Sequence, residues 1–333
     1  MSTVSSVSSQ PFVLVTHALP SDWLVSLEGV CRSLVGPADA QGLAPELAAH
    51  LAEADGLFSL LTVRVDEALL ARAPHLRVVS NMAVGVDNVD LPACTRRGIP
   101  VGHTPGVLTD ATADLAMAAL LAAARRLMEA ATDAREGRWT TWSPTGWLGG
   151  DLNGATLGIV GLGKIGRAVA RRAYGFGMRL IYADTAPAAD IETSFGAVRL
   201  PLPALLKESD FITLHVPLLP ETRGLIDESA LRQMKPAAIL VNTSRGPVVN
   251  MGALYRALSE GWIGGAALDV TDPEPLPPDH PLYTLPNCLI LPHIGSATRG
   301  TRKRMAELAC ENLLAGLGGQ RLPHCANPEV YAG

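Results

Sequence analysis

Three polar residues close apolar runs in the C-terminal half of the sequence, where chemistry can be done. In Ile239-Leu-Val-Asn-Thr-Ser-Arg245-Gly246 a guanidinium follows a β-branched and aliphatic stretch. A planar fork of five donors in that place can grip a carboxylate through two contacts. Leu268-Asp269-Val270-Thr271-Asp272-Pro273-Glu274-Pro275 runs from an apolar stretch into a proline-stiffened loop that carries a carboxylate, and Leu291-Pro292-His293 sets an imidazole after the last apolar run. Together, Arg245 is expected to bind the carboxylate of an α-keto acid and His293 to act on its carbonyl oxygen. Glu274 is expected to orient the imidazole and favour the charged form that a carbonyl reduction needs as proton donor. The scheme needs no metal, and His17, His50, His103, His280 and His324 show no ligand spacing with Cys or acidic residues, so no metal site is expected.

A second constellation precedes these residues. Gly161-Leu162-Gly163-Lys164-Ile165-Gly166 follows the apolar run Thr156–Val160 and opens a helical pattern from Arg167 to Tyr174. The first glycine permits a tight turn, the second lets backbone approach a pyrophosphate, and the third lets helix pack closely on strand. The helix start, with Lys164 and Ile165, offers unpaired N–H groups to phosphates. A second strand, Arg179–Ala183, ends at Asp184, near the place where a carboxylate binds the ribose hydroxyls of a dinucleotide. A carboxylate there repels a 2′-phosphate, which favours NADH over NADPH. Thr185-Ala186-Pro187 brings no arginine, and Arg179 is the basic residue on that strand.

The elements that must position these groups read as alternating strands and helices, the pattern of parallel sheets wrapped by helices. Strands are expected at Phe12–Thr16, Leu57–Leu61, Leu76–Asn81 and Ile99–Gly102, with helices near Leu43–Ala54, Asp66–Ala73 and Leu91–Arg97. The alternation breaks at Thr104-Pro-Gly and gives way to one long Ala-rich helix, Asp110–Arg135, capped by Thr109 or Asp110. The second block places strands at Thr156–Val160, Arg179–Ala183, Phe211–Leu214, Ala238–Asn242, Gly265–Val270 and Cys288–Leu291. Ligands of open α/β sheets lie beyond the carboxyl ends of strands, and that rule collects Gly161, Asp184, His215, Arg245, Asp269, Glu274 and His293. The amphipathic segment Thr301–Leu317 is expected to return and pack on the first block, which has few helices for its strands.

Composition narrows the function classes. The 333 residues carry 27 Lys and Arg against 32 Asp and Glu, a net charge of −5 with no basic block, which argues against nucleic acid as the main partner. The longest apolar run, Leu115–Ala124, is too short for a bilayer span of about 20 residues. The Ser-rich start lacks the features of a secretory or transit signal and is expected to be disordered. Five scattered cysteines without a C-x-x-C pair suit reduced thiols in the cytoplasm.

The motifs Gly161-Leu-Gly-Lys-Ile-Gly, Asn242-Thr-Ser-Arg-Gly, Leu268-Asp-Val-Thr-Asp-Pro-Glu-Pro-Leu and Pro292-His-Ile-Gly-Ser-Ala-Thr resemble those of the D-isomer-specific 2-hydroxyacid dehydrogenases. Thr104-Pro-Gly-Val-Leu-Thr-Asp-Ala-Thr-Ala-Asp, Trp139-Thr-Thr-Trp and Pro273-Glu-Pro-Leu-Pro-Pro-Asp-His-Pro-Leu are most similar to the glyoxylate and hydroxypyruvate reductases of that family. The resemblance implies an α/β fold of two doubly wound parallel-sheet domains. A Rossmann NAD(P)-binding domain, 106–294, would be inserted into a discontinuous flavodoxin-like substrate domain, 1–105 and 295–333. It makes Arg245, Glu274 and His293 catalytic, adds Thr243 and Asp269 to the cofactor contacts, with Asp269 on the nicotinamide carboxamide, and places a substrate loop at Ala83–Asn88 whose N–H groups at Val84 and Gly85 bind the carboxylate. Several related reductases carry an arginine near the end of the second cofactor-domain strand and prefer NADPH, whereas this chain has Tyr182-Ala-Asp184. The family's homodimers imply the same assembly here, with Trp139, Trp142 and Trp147 in a stretch that reaches the neighbouring subunit.

The expected function is NADH-dependent reduction of glyoxylate to glycolate and of hydroxypyruvate to D-glycerate, with NADPH as a second cofactor, in a cytoplasmic homodimer. Phosphoglycerate, phosphite and formate dehydrogenases, and a non-catalytic NADH-binding corepressor, are the alternative readings. A phosphorylated substrate calls for extra cations, and residues 81–90 contain none.

Overall fold

The computed structural model describes residues 10–332, so the disorder expected of the Ser-rich start lies outside the described residues. The chain divides into two compact units, one formed by residues up to Leu108 together with those from Thr298 onward, the other by Thr109–Ala297.

The first unit holds a parallel sheet of β1 (Phe12–Val15), β2 (Arg32–Val35), β3 (Gly56–Ser59), β4 (Val78–Asn81) and β5 (Val101–Gly102), in the order β2-β1-β3-β4-β5. This is the flavodoxin-like arrangement. Strands covered on both faces read as unbroken apolar runs, and β1 shows why. Phe12 and Leu14 face a core with Leu47, Leu51 and Leu70, while Val13 and Val15 face Met305, Ala309 and Leu313 of the helix Arg299–Leu317. That helix sits close enough that a Cβ on its Gly316 would stand 2.5 Å from a methyl of Val78. Small residues therefore set the helix–sheet distance.

The second unit holds seven parallel strands, β6 (Thr156–Val160), β7 (Arg179–Ala183), β8 (Val198–Arg199), β9 (Phe211–Leu214), β10 (Ile239–Asn242), β11 (Gly265–Leu268) and β12 (Cys288–Ile290). Their order, β12-β11-β10-β9-β6-β7-β8, is that of a Rossmann sheet with one further strand beyond the usual six. One face packs on the helices Thr109–Ala124 and Lys164–Gly175, through residues such as Met117, Leu120 and Val169. The other packs on the helix Met251–Ser259 through Leu254 and Leu258.

The structure adds two strands and corrects two helices. The sequence does not display β2, because Arg32 to Val35 form a largely exposed edge strand in which only Leu34 packs on the core. The short β8 is also an exposed edge. The single helix expected over Asp110–Arg135 is two, Thr109–Ala124 and Leu127–Arg135, broken at Arg126, whose φ of 52° is left-handed, and Thr109 lies inside the first rather than before it. The helix expected near Leu43–Ala54 is one short turn, Pro45–Ala48, followed by a 3-10 turn at Leu51–Glu53.

Candidate active site

The catalytic residues proposed from sequence all lie in the second unit, at the carboxyl ends of β10, β11 and β12. Asn242, the last residue of β10, is fully buried and organises the turn that follows. Its Oδ1 accepts from the N–H of Ser244 at 3.0 Å, and its Nδ2 donates to the carbonyl of Arg245 at 2.9 Å. Arg245 is half-buried and its own guanidinium donates to the Ser244 carbonyl at 2.8 Å. The residue after it must be glycine, since a Cβ on Gly246 would stand 1.9 Å from the Thr271 carbonyl oxygen.

Thr271 begins the loop that carries Glu274. Its N–H donates to Glu274 Oε2 at 3.3 Å and its hydroxyl to the Pro273 carbonyl at 2.8 Å. The other carboxylate oxygen, Oε1, meets Nδ1 of His293 at 2.5 Å, and the two side chains are 33% and 28% exposed. With Nδ1 engaged, Nε2 is the atom of the ring left to exchange a proton with a substrate.

His293 is held from behind by Asp269, which is 2% exposed. The Asp269 carbonyl accepts from the N–H of His293 at 3.0 Å, and its carboxylate accepts from the N–H groups of Ile294 at 2.7 Å and Gly295 at 2.8 Å. Burial raises the Asp269 carboxyl above its ordinary range, against the pull of those two N–H groups and of His293. These bonds hold His293 at a φ of 52°, a left-handed conformation that a side chain other than glycine adopts at a cost. Sequence reasoning missed this bracing role, and the signal was available in the pairing of a buried strand-end acid with a His-Ile-Gly turn.

The glycine-rich turn fits a dinucleotide. Gly161 has a φ of +89°, and a Cβ there would stand 2.8 Å from the backbone of His215. A Cβ on Gly166 would stand 2.2 Å from the Gly161 carbonyl oxygen, whereas around Gly163 the space is open, as a ligand's approach requires. The helix Lys164–Gly175 starts with no side-chain cap, so its first N–H groups, those of Lys164 and Ile165 among them, remain available to an anion. Two buried polar atoms at the ends of the neighbouring strands, Nδ1 of His215 and Oγ1 of Thr243, have no partner among the described residues. Burial pushes the His215 imidazole down to about 3, which keeps it neutral.

Asp184 follows β7 as expected. Its carboxylate accepts from the N–H of Leu162 at 2.6 Å, the N–H of Ala186 at 3.3 Å and the Thr185 hydroxyl at 3.2 Å. Burial pushes this carboxyl up, but those hydrogen bonds outweigh it and hold it below its ordinary range, so the group is charged. The nearby cation is not Arg179, which bonds Thr156 and Glu208 at the far end of the strand, but Arg199 on β8. The Arg199 guanidinium donates to the carbonyls of Asp184 at 2.8 Å and Thr185 at 2.9 Å, a pairing of edge strand with turn that sequence spacing does not display.

In the first unit, Val84 and Gly85 are half-buried in the turn after β4. Among the described residues no group of three His, Cys, Asp or Glu side chains is placed to hold a metal ion, and no helix is long and apolar enough to cross a membrane.

A Rossmann sheet with this turn, an acid after its second strand and an Arg, Glu and His at successive strand ends defines a dinucleotide-dependent oxidoreductase. Residues 117–295 match the D-isomer specific 2-hydroxyacid dehydrogenase, NAD binding domain family. The chain is 49% identical to a glyoxylate reductase of Korarchaeum cryptofilum over 96% of its length and 97% of the relative's. It is 47% identical to a glyoxylate reductase/hydroxypyruvate reductase of Mus musculus over 93% of its length and 96% of the relative's. Its fold is similar to that of an NADPH-dependent glyoxylate/hydroxypyruvate reductase from Sinorhizobium meliloti, solved with NADP and malonate, with a TM-score of 0.82, 30% identity and coverage of 96% and 98% of the two chains. The chain belongs to the D-isomer specific 2-hydroxyacid dehydrogenases and uses a nicotinamide cofactor.

Proposed function

We propose that this enzyme reduces glyoxylate to glycolate and hydroxypyruvate to D-glycerate, with NADH as the preferred cofactor. The observation that carries the reading is the His293–Glu274 pair at the strand end next to Arg245's turn, in a chain nearly half identical to glyoxylate reductases. When bound, the cofactor supplies hydride to the keto carbon. Arg245 receives the substrate carboxylate, and in the first unit the amides of Val84 and Gly85 are donors for a carboxylate. His293 gives its Nε2 proton to the carbonyl oxygen, so hydride and proton together convert the carbonyl to an alcohol. Glu274 fixes the ring and balances its positive charge.

Gly161, Gly163, Lys164, Ile165 and Gly166 would hold the pyrophosphate, and Asp184 the ribose hydroxyls. Thr243 offers its unpartnered hydroxyl, and Asp269 keeps acceptor capacity for the nicotinamide carboxamide, since each of its oxygens takes one N–H. The charged carboxylate of Asp184, followed by Thr185-Ala186-Pro187 without an arginine, supports NADH, and it is Asp184 that departs from the NADPH-preferring pattern. The second unit is the cofactor domain and the first the substrate domain. A cytoplasmic homodimer completes the reading, supported by Trp139 and Trp142, which are 72% and 78% exposed.

The test follows loss of NADH absorbance with glyoxylate, hydroxypyruvate, pyruvate and phosphorylated 2-oxo acids. Turnover is expected to be fastest on the first two. No turnover on any of them would overturn the enzymatic assignment in favour of a binding role, and preference for a phosphorylated acid would overturn the substrate.

A further inference from the structure

Three consecutive peptide planes in the turn after β4 are each tied down by their carbonyl. The Ala83 carbonyl accepts from the N–H of Thr104 at 2.8 Å. The Val84 carbonyl accepts from Nδ1 of His103 at 3.0 Å, and the Gly85 carbonyl from Nδ2 of Asn81 at 3.1 Å. In a trans peptide the N–H points opposite to the carbonyl of the preceding residue, so fixing one aims the other. Holding the carbonyls of residues 83, 84 and 85 therefore aims the N–H groups of Val84, Gly85 and Val86 away from their anchors. None of those three N–H groups has an acceptor within the chain among the described residues. Three successive unpaired N–H groups are donors that an anion such as a carboxylate can engage.

The anchors are themselves rigid. The N–H of His103 donates to the His324 carbonyl at 3.1 Å, and its carbonyl accepts from the buried Asn312 at 3.0 Å. Asn81 is fully buried and exchanges hydrogen bonds with Asn88, which reaches the Val63 carbonyl at 2.9 Å. Donation to Val84 requires a proton on Nδ1 of His103.

We propose that His103 is a positioning residue for substrate carboxylate, aiming the N–H of Gly85 through the Val84 carbonyl, with Asn81 doing the same for Val86. This rests on the reading of residues 83–88 as the substrate loop. Asparagine carries Nδ2 at the place in the side chain where histidine carries Nδ1, so His103→Asn keeps the donor and His103→Leu removes it.

For His103→Leu the KM for glyoxylate is expected to rise about five- to tenfold, the loss of one hydrogen bond, while kcat changes less than twofold and NADH affinity is unchanged. His103→Asn is expected to restore the KM. Calorimetric binding of oxalate, which cannot be reduced, is expected to weaken in the Leu variant by the same factor. Unchanged KM and oxalate affinity in an active, folded Leu variant would overturn the proposal, and His103→Ala serves in the same comparison if Leu is not tolerated. A parent enzyme that binds oxalate but reduces no 2-oxo acid would instead defeat the functional reading and leave the oxalate comparison to decide the role of His103.

Discussion

Gly246 lies so close beneath Thr271 that the two backbones leave no space for a side chain, a Cβ at Gly246 standing 1.9 Å from the Thr271 carbonyl oxygen. The turn that follows Arg245 and the loop that carries Glu274 thus share one packing contact, and neither can shift alone. Gly246→Ala is expected to displace both, lowering stability by about 1–3 kcal/mol and kcat/KM at least tenfold. Melting temperature and steady-state kinetics check this, and parent-like values of both would show that the loops are independent.

Removing the guanidinium tests carboxylate binding. Arg245→Ala is expected to raise KM and lower kcat, the loss of a charge-assisted contact of about 1.5–3 kcal/mol amounting to ten- to a hundredfold in kcat/KM. Arg245→Lys should recover little, because a point charge does not reproduce the two-pronged contact. Unchanged kinetics in the Ala variant would remove Arg245 from the site.

His293→Gln is expected to slow reduction by about 10²–10⁴ with NADH binding nearly intact, since the imidazole serves proton transfer rather than cofactor affinity. Glu274→Gln, which keeps an acceptor but not the charge, should lower kcat while leaving NADH binding nearly intact. NADH titration by fluorescence beside single-turnover rates separates these effects, and lost NADH binding with normal residual turnover would contradict the role given to His293.

Cofactor choice turns on Asp184. Its carboxyl is held charged by the N–H groups of Leu162 and Ala186, so it repels a second negative group. Asp184→Ala is expected to raise the NADPH-to-NADH ratio of kcat/KM, with Arg199 then the cation on the same turn. An unchanged ratio would assign the choice to another group.

Asp210 offers a test of stability against pH. It accepts from the N–H of Thr156 at 2.8 Å and from Lys235 at 2.7 Å, joining the lower ends of β6 and β9. Burial raises its carboxyl, but Lys235 and the Thr156 N–H outweigh that and the net shift is downward. Because the folded value lies below the unfolded one, the contribution is full above about pH 4 and disappears as pH falls through the lowered value. The pair is 39% and 40% exposed, which limits the effect to about 1 kcal/mol. Urea melts of Asp210→Asn should show that deficit at neutral pH and its progressive loss as pH falls below about 4, and a deficit unchanged by acid would assign it to packing.

Much of this was legible in the sequence because buried parallel strands leave continuous apolar runs, and the polar residue that ends each run is conspicuous. Arg245, Asp269 and His293 are conspicuous in the sequence for that reason. What could not be read is equally physical. The edge strand Arg32–Val35 buries too little to impose a pattern, and the break at Arg126 is a backbone turn inside a segment of strong helix formers. The roles of Arg199 and His103 arise from side chains that reach backbone carbonyls distant in sequence, and such hydrogen bonds leave no trace in residue spacing.

The first unit is closed by the last α-helix among the described residues, Arg299–Leu317, whose Met305, Ala309 and Leu313 cover Val13, Val15 and Phe58. On a ribosome those strand residues emerge long before their cover. The second unit has all of its described strands once residue 290 has been added, so it can fold while the first still lacks the cover of that helix. Vectorial synthesis therefore favours completion of the inserted unit before the first, and a ribosome stalled before residue 299 would carry a first sheet without the cover of Met305, Ala309 and Leu313 on that side.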